Sequence, residues 1–108
     1  MKYAILVFAG ALLCNCVPHL AAGLQGAHFP TPFAKPRGVG KSAPLTNFFW
    51  GAFNLAAALA ILGSHPVFLG ANADCLAIGS GAFVLGVHLS RHFGKVRDRA
   101  GDAPFPRS

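Results

Sequence analysis

The stretch Tyr3–Leu24, YAILVFAGALLCNCVPHLAAGL, contains no charged residue and decides the class of the protein. The hydrocarbon core of a bilayer is about 30 Å thick, and a helix needs about 20 apolar residues to cross it. The stretch is long enough to do so. It lacks the alternation of apolar and polar residues that is typical of a barrel strand, and lipid tolerates only helices and closed barrels. The stretch therefore predicts a membrane-spanning helix.

Two further apolar stretches follow. Residues 42–73 carry no charge, and residues 47–63 are their most helix-like part. The third stretch is bounded by Asp74 and Arg91 and is slightly short, so that Arg91 must snorkel to the interface. Charged residues make up only 11% of the chain, against about 25% in soluble domains. The sequence predicts an all-α membrane protein with three transmembrane helices, at residues 3–24, 47–63 and 73–92, in a single domain over residues 1–93.

The basic residues predict the orientation of these helices. Lys and Arg in short loops are retained on the cytoplasmic side of a membrane. Eight of the nine lie either in the loop 25–46 or after the third span, and residues 64–71 contain none. This distribution predicts an N-terminus outside, a C-terminus inside and a cytoplasmic Pro/Gly-rich loop. The eight are Lys35, Arg37, Lys41, Arg91, Lys95, Arg97, Arg99 and Arg107.

A cleaved signal peptide over residues 1–23 is the competing interpretation of the first stretch. Lys2 precedes the apolar run, and the small residues at 21–23 could form a cleavage site. Cleavage would leave the three basic residues of the loop outside, against the charge rule. We therefore favour a retained span.

The loop and the tail differ in composition from the spans. Four prolines over residues 25–46, together with Gly38 and Gly40, predict an irregular loop, since proline removes backbone donors and glycine permits tight turns. Asn47 resembles a helix cap, followed by aromatic residues, Trp50 among them, that suit the headgroup level. The polar, basic residues 94–108 predict a disordered tail.

Gly38–Ser42, GVGKS, matches the end of a nucleotide-binding loop. Lys35 stands where that motif needs its first glycine, and the required strand and sheet are missing from the pattern. We predict no nucleotide binding. The basic residues are those that flank spans, so we expect the lipid bilayer as their partner, and no nucleic acid.

Three histidines are weak candidates for cofactor binding. His88 and His92 lie four residues apart on one helix face, and His19 lies near the same inner side. Imidazole can ligate a metal or haem, but a histidine near the headgroups also bonds to water, phosphate or a neighbouring helix. Cys14 and Cys16 point apart on a helix and cannot hold one metal. We therefore predict no metal site, no cofactor and no catalytic residue.

Small residues recur every four positions on the second and third spans. In lipid, close backbone approach drives helix association, so these stripes predict a hairpin of the two spans or contact with a second copy. Asn54 could bond across such an interface, and Pro18 should kink the first helix. The stripes are Ala52, Ala56, Ala60 and Ser64 on one span and Ala82, Gly86 and Ser90 on the other. The candidates for helix contact or structure are Asn15, Pro18, Trp50, Asn54, Ala56 and Gly86.

Three motifs carry a resemblance over about residues 1–65. They are NCVPH at residues 15–19, FPTPFAKPRGVG at residues 29–40 and NFFWGAFN at residues 47–54. The chain resembles a group of small uncharacterised bacterial integral membrane proteins, which have no established activity. The resemblance implies a bacterial origin and a membrane location, and nothing about chemistry. Together with the three predicted spans, it leads us to expect a multi-pass protein of the bacterial inner membrane. It also implies a defined loop, with Pro18, His19, the FPTPFA segment, Trp50 and Asn54 gathered at the inner face.

Three classes of function fit these observations. We expect a structural or accessory subunit, rather than an enzyme, that contacts a membrane protein or a second copy of itself. An oligomeric small-molecule transporter is an alternative, although mid-membrane charged residues are missing from the sequence. A redox or quinone-type subunit that uses the three histidines is the other alternative.

Overall fold

The computed structural model describes residues 1–101 of the protein. Within them, three long helices dominate, and the connection between the first two holds a short pair of antiparallel strands. All three helices are long and apolar enough to cross a membrane, with mean hydropathies of 1.9, 1.6 and 1.4. The prediction of a mostly helical chain with three membrane-length helices is confirmed. The elements are α1 (Lys2–Leu24), β1 (Phe29–Pro30), β2 (Lys41–Ser42), α2 (Pro44–Ser64) and α3 (Ala73–Ala100).

Local chemistry sets the ends of α2 and α3. α2 begins at Pro44, whose fixed φ suits the first helical position and whose missing N–H costs nothing there. The Asn72 side chain caps α3 by accepting a hydrogen bond from the Cys75 N–H at 2.9 Å. α3 ends at Gly101, which adopts a left-handed conformation with a φ of 73° that favours glycine.

α1 lies at the centre of the bundle. α2 packs on one side of it and runs antiparallel, whereas α3 packs on the other side and runs parallel, so that α2 and α3 barely touch each other. The expected hairpin of the second and third helices is therefore wrong. The small-residue stripes were the basis of that expectation, but neither of them forms an α2–α3 interface.

Four glycines explain why α1 takes the central place. A Cβ added to Gly10 of α1 would collide with the carbonyl oxygen of Ile78, and one added to Gly81 of α3 would collide with that of Val7. Gly23 and Gly51 leave room in the same way between α1 and α2, Gly23 against the backbone of Phe48. Backbones therefore approach most closely along α1, which is the contact that stabilises helix pairs in lipid.

α3 continues well beyond the predicted span. It remains helical through residues 94–100, so the prediction of a disordered tail is wrong for those residues. Val96 in this part is buried, and Phe93 lies against Phe29 of the loop with ring centroids 4.6 Å apart. The rest of the predicted tail, residues 102–108, lies outside the described residues.

The loop is more ordered than its composition predicts. Its two strands pair Phe29 with Ser42 and Pro30 with Lys41. Asn47 does not cap α2, since that helix begins one turn earlier; its side chain is completely buried inside the first turns. The prediction of a capping Asn47 is therefore wrong.

Contacts at the two ends of the bundle differ in kind. At one end, an ion pair of 3.1 Å joins Lys2 at the start of α1 to Asp74 at the start of α3. At the other end, the loop covers the place where α1 and α3 finish, and the Nε2 of His92 lies 2.8 Å from the Gly38 carbonyl oxygen. All basic residues of the loop and of the end of α3 belong to this second end.

Candidate functional site

A buried polar cluster lies beneath the loop, with Asn47 at its centre. The Asn47 Nδ2 donates towards three backbone carbonyl oxygens, those of Phe29 at 3.0 Å, Ser42 at 3.1 Å and Ala43 at 3.2 Å. Its Oδ1 lies 2.9 Å from the Nδ1 of His19 on α1. One side chain thus fastens both strands of the loop and α1 to the start of α2.

The same bonds fix the proton on the His19 ring. Because three carbonyls surround the Asn47 amide nitrogen, the atom that faces His19 is the oxygen, which can only accept. The Nδ1 of His19 must therefore carry the hydrogen, and in the neutral ring Nε2 is the acceptor. The ring is buried and makes edge contacts with Phe29 and Trp50, with centroids 5.6 and 6.4 Å away.

A second polar contact joins α1 and α2 near the first. The Asn15 Nδ2 donates to the Asn54 Oδ1 at 3.1 Å, and the Asn54 Nδ2 donates to the Trp50 carbonyl oxygen at 2.8 Å. Asn54 is buried. Hydrogen bonds between membrane helices contribute about 0.6–1.7 kcal/mol each. Asn54 therefore bonds across a helix interface, as expected, but its partner is on α1 rather than α3.

These two contacts border a cavity of about 320 Å³ between the loop and the helices. His19 and Asn15 line it from α1, His92 from α3 and Trp50 from α2. The loop contributes Thr31, whose hydroxyl bonds to Ser42 and accepts from the Phe33 N–H. The Trp50 Nε1 hydrogen is buried and has no acceptor among residues 1–101. The cavity thus combines apolar walls with several polar groups, among them the charged side chain of Arg37.

The structure brings together most of the residues that the sequence singles out at this end. His19, Trp50 and residues 30–32 share the cavity, and Asn54 bonds to Asn15 beside it. α1 runs without interruption through Pro18. His19, Trp50, Asn54 and residues 30–32 are among the residues that the resemblance predicts to gather.

Other predicted residues lie apart from the cluster. His88 is exposed and stacks on His92 with centroids 6.2 Å apart, outside the cavity. Ala56 is exposed, and a Cβ at Gly86 would lie 3.5 Å from the Cys14 Sγ, which places Gly86 at the α1–α3 contact. Among residues 1–101, no group of three or more His, Cys, Asp or Glu side chains is arranged to hold a metal ion.

Sequence reasoning missed the central role of Asn47, although a signal for it exists. Asn15 and His19 lie four residues apart, and Asn47 and Asn54 lie seven apart, so each pair occupies one helix face. On antiparallel helices the two pairs can face each other, although their axial spacings of about 6 and about 10.5 Å are unequal. The bond from His92 to Gly38 joins distant parts of the chain and has no such signal.

Comparison with known protein families, curated proteins and solved structures finds no match to this chain.

We predict that Asn47→Ala loosens the loop while the three helices remain. The substitution leaves buried polar groups unpaired, which costs about 1–3 kcal/mol. Trypsin cleavage after Arg37 or Lys41 in detergent should therefore accelerate by roughly 5- to 150-fold. Asn72→Ala is the matched control, because it removes an Asn hydrogen bond at the opposite end of the bundle. Equal cleavage rates for Asn47→Ala and the unsubstituted protein would contradict the role given to Asn47.

Proposed function

We propose that the chain is a multi-pass protein of the bacterial inner membrane, with its N-terminus outside and its loop and C-terminus in the cytoplasm. We further propose that it acts as an accessory or structural subunit, which contacts a helix of another membrane protein. No chemical reaction is part of this proposal. The fold contributes a three-helix support, and one outer face of that support receives the partner.

The charge distribution supports the proposed orientation. Lys35 and Arg37 in the loop lie at the same end of the bundle as Lys95 and Arg97 on α3. Lys2 lies at the other end, where it pairs with Asp74. Basic residues near the ends of spans favour the cytoplasmic side, and acidic residues contribute little to orientation.

The outer face of α2 carries the proposal of an accessory role. Asn54 and Ala58 face α1 and are buried, so Ala56, midway between them, points to the opposite side of the helix. Ala56, Ala60 and Ser64 are all exposed. α3 does not cover them, because it packs on the far side of α1. A helix face of small residues permits close approach of another helix, and no helix among residues 1–101 covers this one.

Labelling of introduced cysteines tests the orientation. In a variant without the three native cysteines, Leu69→Cys lies in the exposed connection before α3, and Val39→Cys lies in the loop. A membrane-impermeant maleimide should label Leu69→Cys in intact spheroplasts and Val39→Cys only after lysis. The intact mass of the purified chain would show whether the first span is retained. The reverse labelling pattern, or labelling of both sites from outside, would contradict the proposal.

Photo-crosslinking in native membranes tests the accessory role. A photoreactive residue at Ala60 should give one discrete adduct with another protein, and the same residue at Val84, exposed on α3, should not. Ala56→Leu should reduce the Ala60 adduct by about tenfold, equivalent to ~1.4 kcal/mol, because the added bulk separates the helices. An adduct of exactly two copies of this chain would indicate a homo-oligomer instead. Equal adducts at Ala60 and Val84 would exclude a specific face.

A further inference from the structure

A second cavity, of about 500 Å³, lies between the loop and the last turns of α3. It adjoins the polar cavity around His19, and Pro30 and Phe93 line both spaces. Its volume falls within the range of ligand-binding pockets, about 300–1,000 Å³. The proposed partner face on α2 does not contribute to it.

Apolar side chains form much of its wall. Phe29 and Val39 come from the loop, and Phe93 and Val96 come from α3. Val96 is buried, and the contact between Phe29 and Phe93 holds the loop against the helix. The cavity therefore depends on the fold of the loop, rather than on a chance depression along one helix.

Basic side chains complete the wall. Arg97 and Arg99 from the last turn of α3 line the cavity, together with Lys41 from β2. Among the described residues that line it, none is acidic. Arginine presents a fork of N–H donors that matches the oxygens of a phosphate. The cavity thus joins an apolar surface to a site of positive charge.

The cavity lies beside the part of α3 that follows its apolar stretch. Arg91 marks the end of the apolar part of this helix, and the cavity lies beyond it, beside residues 93–99. A helix that crosses the bilayer with its apolar part places these next turns at the level of the lipid headgroups. Basic pockets at this level on the cytoplasmic side are suited to anionic lipid headgroups.

We propose that this cavity binds an anionic phospholipid. The phosphate contacts Arg97 and Arg99, and the glycerol and the first part of an acyl chain contact the apolar wall. A soluble phosphate would use only the basic side chains, so the apolar wall distinguishes the two sources of the same group. This proposal is independent of the accessory role, since it uses different residues and a different face of the bundle.

Native mass spectrometry of the full-length protein tests the proposal. The protein is taken from nanodiscs of phosphatidylcholine that contain a small fraction of phosphatidylglycerol, and the retained lipids are counted. We expect retention of one phosphatidylglycerol per chain. Arg97→Gln and Arg99→Gln should each weaken its binding about fivefold, the equivalent of ~1 kcal/mol for one basic residue at the membrane surface. Arg91→Gln and Lys95→Gln remove the same charge from α3 outside the cavity and should change binding by less than about twofold.

A second variant tests the cavity itself and leaves the charge unchanged. Ala27 is exposed and lines the cavity, so Ala27→Trp fills the space without disturbing a helix. It should abolish retention of phosphatidylglycerol, whereas the thermal stability of the protein stays the same. Glycerol phosphate at millimolar concentration should not displace the lipid.

Three results would overturn the proposal. Equal losses in Arg91→Gln and Arg97→Gln would show a general effect of surface charge. Unchanged retention in Ala27→Trp would show that the cavity is not the site. Displacement by glycerol phosphate would identify a soluble phosphate compound, rather than a lipid, as the ligand.

Discussion

Close contact between backbones along α1 is the constraint on which the rest of the structure depends. Lipid tails are as apolar as the helix surfaces, so burial of apolar side chains contributes little free energy to the association of membrane helices. Glycine permits two helices to approach until backbone atoms meet, as Gly10 and Gly81 do between α1 and α3. Gly51 does the same where α2 crosses α1 near Leu20. Because these contacts occupy both sides of α1, α2 and α3 are kept apart and each exposes an outer face.

The polar cluster beneath the loop depends on that arrangement. Asn47 reaches His19 only because α2 starts beside the end of α1, and His92 reaches Gly38 because α3 passes the loop at the same level. Hydrogen bonds from Asn47 on α2 and from His92 on α3 then hold the loop in place. They explain why a segment rich in proline and glycine forms two strands and borders two cavities. The two proposed functions use different features that this packing creates. The outer face of small residues on α2 binds a partner, and the basic cavity beside α3 binds a lipid.

The sequence predicts the membrane class well, because a charge-free run as long as Tyr3–Leu24 can form few stable structures other than a membrane-spanning helix. It predicts poorly which helices touch, since small residues recur on every helix. Their spacing alone does not show that Gly81 lies at a helix contact whereas Ala56 is exposed. Asn47 resembles a cap because asparagine favours that position, whereas Pro44 is the better signal for the start of α2. The predicted third span ends at residue 92, whereas α3 continues to Ala100. The left-handed conformation of Gly101 ends α3, and the burial of Val96 stabilises the additional turns before it.

Disulfide formation between α1 and α3 tests the central place of α1 most directly. In a variant with Cys16→Ala and Cys75→Ala, native Cys14 remains, and Gly86→Cys places a second thiol beside it. Mild oxidation in membranes should join the two within one chain, which is measured as a loss of about two mass units and of maleimide labelling. Gly79→Cys, whose Cβ would contact nothing within 4 Å, should stay reduced. An unbridged Gly86→Cys, together with a rapid bridge between Ala56→Cys and Ala82→Cys in a cysteine-free background, would contradict the account and restore a hairpin of α2 and α3.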